Sequence, residues 1–140
     1  MSSDIIYLFP NIFLSKINNI KLKDISDRHI TKIITTKNKN ETLNKYDNKI
    51  MFEQIKINKD SIDFNSTYRV INECVKNNEC IILCDDDFDL ILVLIISFFS
   101  EKSNSSFYKC TRLLCTKSNT KIEDIDELYL KQLFNFQQKN

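Results

Sequence analysis

The strongest hydrophobic pattern in the chain runs from Glu79 to Ser100. It opens with a short β-branched apolar run, Ile81 to Leu83, with the length and composition of a buried strand. Cys84 follows, then an acidic turn containing Asp85, Asp86, Asp87 and Asp89, then an apolar run from Leu90 to Phe99 that suits a buried helix. In a strand, tight loop and buried helix, the loop overlies the helix N-terminus, where many α/β proteins handle anions. Four carboxylates at this turn oppose that use, because they repel a second negative charge.

The remaining pattern is shorter-ranged. Ile5–Phe9 and Asn11–Ser15 read as two strands parted by Pro10, and Lys16–Asp27 as a short helix on the spacing of Ile17, Ile20, Leu22 and Ile25. Ile30–Thr36 is β-branched and reads as a strand, Lys37–Lys49 as a charged Asn-rich loop, and Ile50–Asn58 as a further strand. Asn65, Ser66 and Thr67 offer caps for a helix to about Asn77 that turns Tyr68, Ile71, Cys74 and Val75 inward. Ser105 or Ser106 caps the next helix, with Phe107, Cys110, Leu113 and Leu114 inward. Thr120 and Glu123 form a capping-box pattern opening a last helix whose stripe is Ile122, Ile125, Tyr129, Leu133 and Phe136. The order predicts an α/β fold. One domain, 1–140, would hold a central, mostly parallel twisted sheet of about five strands flanked by helices.

Composition narrows the function classes. Hydrophobic residues at 42% and charged ones at 28% describe a chain that folds. A net charge of +1 supplies no overall field for nucleic acid or an anionic membrane. There is no glycine and one proline, while Ile, Asn and Lys abound, a bias expected of an AT-rich genome such as that of some large DNA viruses or protists. The five cysteines are odd in number and lack metal-ligand spacing; Met1–Asp4 shows no basic-then-apolar leader, and Leu90–Phe99 is too short to span a bilayer. These features predict a reduced, cytoplasmic protein (host cytoplasm or virion if viral) without membrane contact.

The order of elements, with a lone cysteine closing the last strand, resembles the cysteine-dependent dual-specificity phosphatases of the protein tyrosine phosphatase fold. "IYLFPNIFLS" (Ile6–Ser15) is similar to their opening strand pair, "HITKIITT" (His29–Thr36) to their next strand, and "FEQIKINKD" (Phe52–Asp60) to the strand entering their general-acid loop. Leu130–Phe136 resembles their closing Phe-x-x-Gln-Leu region. Laid on the signature H-C-x-x-G-x-x-R-S/T, this chain keeps the cysteine as Cys84. Leu83 stands at the histidine, Asp87 at the glycine, Leu90 at the arginine and Ile91 at the Ser/Thr.

In such enzymes a thiolate attacks phosphorus, loop amides and an arginine hold the phosphoryl oxygens, and an aspartic acid protonates the leaving group. The resemblance therefore implies a vestigial nucleophile position at Cys84 and a vestigial general-acid position at Asp60, with Asp63 as its rival. Neighbouring carboxylates and burial predict a neutral Cys84 thiol near neutral pH. His29, ahead of a strand, reads as a surface group. The degenerate loop comprises Asp85, Asp86, Asp87, Phe88, Asp89, Leu90 and Ile91, with no basic residue among them. The expected function is that of a catalytically inactive phosphatase-like protein, a pseudophosphatase, that binds another protein or serves as a scaffold, without a cofactor. The alternative is a residual cysteine-dependent phosphatase, or a divalent-metal-binding enzyme using Asp85–Asp89 with Asp85, Asp86 and Asp87 as ligands. Homodimerisation through an exposed apolar patch stays open, and only the Lys-rich stretch Lys37–Lys49 favours nucleic acid.

Overall fold

β-branched and aromatic residues supply five short strands, and a computed structural model, describing residues 5–8, 10–37 and 50–139, shows how they pair. The strands are β1 (Ile6–Leu8), β2 (Ile12–Lys16), β3 (Lys32–Thr35), β4 (Met51–Gln54) and β5 (Ile81–Asp85). They form one sheet in the order β1-β2-β5-β3-β4. β1 and β2 are antiparallel across the Pro10 bend, and every other pairing is parallel. The described helices are α1 (Leu22–Asp27), α2 (Phe64–Lys76), α3 (Phe88–Ser103), α4 (Phe107–Lys117) and α5 (Glu127–Lys139). The fold is α/β with a five-stranded, mostly parallel sheet. The expected loop Lys37–Lys49, apart from Lys37, lies outside the described residues, as do Met1–Asp4 and Phe9.

By contact, the chain falls into two compact units, Met1–Lys56 with Asn72–Phe88, and Ile57–Ile71 with Asp89–Asn140. The first contains the whole sheet. β5 is its centre, parallel to β2 on one side and β3 on the other, and all five of its residues are buried. Ile82 and Cys84 project from one face into a cluster with Ile33, Ile17, Ile20, Ile25 and Ile30. The opposite-face residues Ile12, Leu14, Ile34, Ile81 and Leu83 are equally buried. Burial on both faces explains why β5 reads as a continuous apolar run rather than an alternating one.

In the second unit, α3 is buried without interruption from Leu90 to Phe98. Ring contacts join Phe64 to Phe136 (5.1 Å), Tyr68 to Phe98 (5.3 Å) and Phe107 to Phe134 (4.6 Å). Ser106 caps α4 by accepting the Lys109 N–H at 3.2 Å, as the sequence predicts.

Several boundaries differ from expectation. The predicted helix Lys16–Asp27 is a 3₁₀ turn (Ile17–Asn19) followed by α1, because Ile20 and Lys21 are extended; Ile17, Ile20 and Ile25 are buried, but Leu22 is exposed. β4 stops at Gln54 rather than Asn58, where the Asn58 carboxamide begins a turn. α2 is capped by Asp63, which accepts the Ser66 N–H at 3.0 Å, not by Asn65, Ser66 or Thr67. Leu113 faces solvent. Thr120 does not open the last helix: its hydroxyl pairs with Ser118, a 3₁₀ turn (Ile122–Asp124) intervenes, and Asp126 caps α5 through the Leu128 N–H at 2.9 Å.

Without glycine, the left-handed residues that close helices must come from elsewhere. Among the described residues the positive-φ positions are His29, Asn78, Asn104 and Asn119, at 54–57°. Each follows a helix and is trailed by a backbone bond back into its last turn: Ile30 to Ile25, Glu79 to Cys74, Ser105 to Ser100 and Thr120 to Cys115. These are glycine-type helix ends built with Asn or His, residues that tolerate this region at a cost glycine lacks. Asn78→Gly and Asn119→Gly should each stabilise the fold by a few tenths to about 1 kcal/mol, seen as a higher urea midpoint at unchanged slope.

Cys74, buried on α2, has its thiol pushed up to about 11, first by burial and then by Glu79. In the unfolded chain the thiol ionises near 9.0. The folded state keeps its proton longer, so stability is intact below that pH and falls as pH rises toward about 11. Urea titrations across this window should show the decline in the native chain and a smaller one in Cys74→Ala.

Candidate functional site

β5 delivers Cys84 to the place where the sequence pattern puts a nucleophile. The side chain is 1% exposed and belongs to the isoleucine cluster of the first unit. None of the five cysteines is in a disulfide. A nucleophile needs an approach path, and this sulfur lies beneath apolar packing.

Only Asp86 and Asp87 separate the end of β5 from the start of α3. The reversal is made by a side chain. Asp85 folds its carboxylate back over the loop, where Oδ2 accepts the Asp87 N–H at 3.0 Å, the local ring that lets Asp start a turn. Oδ1 accepts the Thr36 hydroxyl, which follows β3 directly; the β3–β5 register, with Thr35 opposite Cys84, places it there. Asp85 is 2% exposed, so these donors replace the water its oxygens would otherwise bind. No residue of the loop has positive φ. The Asx turn does the work for which a glycine would otherwise be needed.

The other carboxylates are also engaged. Asp86 pairs with Lys37 Nζ at 3.0 Å on the surface, where such pairs contribute little. Asp89, in the first turn of α3, accepts the Asp126 N–H at 3.0 Å, and Asp126 in turn caps α5. Leu90 and Ile91, at the arginine and Ser/Thr positions, are 0% and 2% exposed. Phe88 is half-buried. Among the described residues no three His, Cys, Asp or Glu side chains converge to hold a metal ion. The proposed ligands Asp85, Asp86 and Asp87 do not form such a group. No helix among the described residues is long and apolar enough to cross a membrane.

Asp60 lies in the second unit and Cys84 in the first. Asp60 is exposed in a turn, its N–H donated to Asn58 Oδ1 at 3.0 Å. Asp63 is a helix cap, and His29 is exposed. Gln132 fixes the Asp60 turn from both sides: its Oε1 accepts the Ile62 N–H at 2.6 Å and its Nε2 donates to the Lys59 carbonyl at 2.8 Å. Gln132 is the glutamine of the closing motif quoted above, whereas Thr36 carried no signal in the sequence.

Asp85→Ala should destabilise the chain by about 1–3 kcal/mol, because it removes the acceptor of the Asp87 amide and the Thr36 hydroxyl in a partly buried setting. In a urea double-mutant cycle, Thr36→Val combined with Asp85→Ala should cost less than the sum of the two single changes.

No protein-family model matches the sequence, and no curated protein does. Solved structures match over nearly the whole chain. Human DUSP28 superposes with a TM-score of 0.78 at 7% identity, covering 99% of this chain and 96% of that one. The human tyrosine phosphatase-like serine/threonine/tyrosine-interacting protein gives 0.74 at 12% identity, with 96% of each chain covered. A mouse dual-specificity-phosphatase structure complexed with zinc tungstate gives 0.77 at 10% identity, covering 99% and 89%. At these identities the likeness is one of fold: the chain has the dual-specificity phosphatase form of the protein tyrosine phosphatase fold.

Proposed function

We propose that this chain is a catalytically inactive phosphatase-fold protein, a single domain over 1–140, that acts by binding another protein. The observation that carries the reading is the buried Asp85 carboxylate, which takes up the Asp87 amide of the loop that would otherwise face a phosphoryl group. An entering phosphate dianion would meet Asp85, Asp86 and Asp87 at close range, with Leu90 offering no cation in return. The mouse neighbour is complexed with tungstate, a tetrahedral oxyanion; here a carboxylate of the chain itself stands in the loop. One human neighbour carries a name that pairs "phosphatase-like" with "interacting", which agrees with partner binding on this fold.

Thermal-shift titration with vanadate and phosphate, run beside turnover of p-nitrophenyl phosphate, tests the proposal. The expected result is no rise in melting temperature with either oxyanion and no turnover above the Cys84→Ser background. Leu90→Arg should lower stability by about 2–4 kcal/mol, since it buries an unpaired cation, and should leave the response to vanadate flat. Stabilisation by vanadate, or turnover abolished by Cys84→Ser, would overturn the inactive reading.

A further inference from the structure

The partner-binding reading leaves open which surface engages the partner and what that partner presents. We propose that the groove along α4 and the 3₁₀ turn after it binds an acidic peptide segment of a partner protein, one with an apolar side chain beside its carboxylates. This inference rests on the partner-binding reading.

The stretch from Phe107 to Lys121 carries Lys109, Arg112, Lys117 and Lys121 and no acid; Arg112 and Lys121 line the groove, and Glu123 and Asp124 follow in the 3₁₀ turn. A cavity of about 630 Å³ opens along it, with Tyr108, Arg112, Thr116, Asn119, Lys121 and Ile122 in its lining. That volume lies in the range of about 300–1,000 Å³ that holds compact ligands, enough for a short peptide segment. The Arg112 guanidinium rests 5.6 Å from the centre of the Tyr108 ring, which holds its planar donor fork in place before any carboxylate arrives. Among the described residues neither Arg112 nor Lys121 forms an ion pair.

The apolar part of the specificity comes from Ile122 and Tyr108, both exposed in the groove. Thr116 and Asn119 add side-chain hydrogen-bonding groups suited to a peptide backbone. Asp124 also lines the groove. A continuous phosphate backbone would run against that carboxylate, whereas a peptide can offer it an amide or a basic residue. Charge and apolar surface together favour an acidic peptide over nucleic acid.

The test uses the full chain and a fluorescein-labelled peptide of repeating Glu-Glu-Leu, read by anisotropy and by amide chemical-shift mapping. Saturable binding is expected, with shifts concentrated at Thr116, Asn119, Thr120 and Ile122. Affinity should fall about tenfold or more in Arg112→Glu/Lys121→Glu and on raising salt from about 0.05 to 0.5 M. Exposed Lys23→Glu, on α1, is the control and should bind as the native chain does. Equal binding by the double variant and the control, no saturable binding, or tighter binding of a single-stranded oligonucleotide of equal charge would each overturn the groove assignment. These outcomes are separate from the vanadate test: a silent groove with a silent loop refutes only the surface, and a vanadate response refutes the inactive reading whatever the groove does.

Discussion

The junction between β5 and α3 depends on one buried carboxylate. Asp85 ends the central strand, accepts from Thr36 across the sheet edge, and accepts the amide two residues on. A strand that is fully buried and paired on both sides cannot shift its register without moving the isoleucine cluster around Ile82 and Cys84. The turn is therefore held from both directions, by packing behind it and by the Asp85 hydrogen bonds within it. The same bonds give the loop its tightness and remove an amide from any outside ligand. Shape and chemistry are set together here.

A chain without glycine shows where that residue's freedom is needed and where it is dispensable. At helix ends the left-handed position is unavoidable for this kind of termination, and Asn or His accepts it. At tight turns an Asx side chain substitutes for unusual backbone angles: Asn58 does so before α2, Asp126 before α5, and Asp85 before α3. One chemical device recurs at three junctions. The third follows Cys84 directly, at the turn from β5 into α3.

The sequence made the fold legible because its clearest signals are long-range ones: a buried central strand, a helix apolar on every face, and an order of elements with few alternatives. The place of Cys84 on β5 could be read for the same reason, and the Ser106 cap from its local pattern. Local rules failed where several Asx or hydroxyl residues competed for one cap. Asp63 won over Asn65, and Asp126 over Thr120, because the cap lies where the chain turns, and tertiary contacts fix that place. Leu113 matched the helical spacing but fell on the solvent side of α4. Thr36 was invisible for a different reason. Its partner Asp85 lies 49 residues away, and only the strand register joins them.

Gln132 binds both the amide of Ile62 and the carbonyl of Lys59, so the Asp60 turn is a strut of α5 rather than a lid. Opening that turn breaks both of these hydrogen bonds. Unwinding of α5 through Gln132 would release the turn as well, which couples the two as a local unfolding unit. The exchange of the Ile62 amide proton thus reports on a helix that begins 65 residues later in the chain.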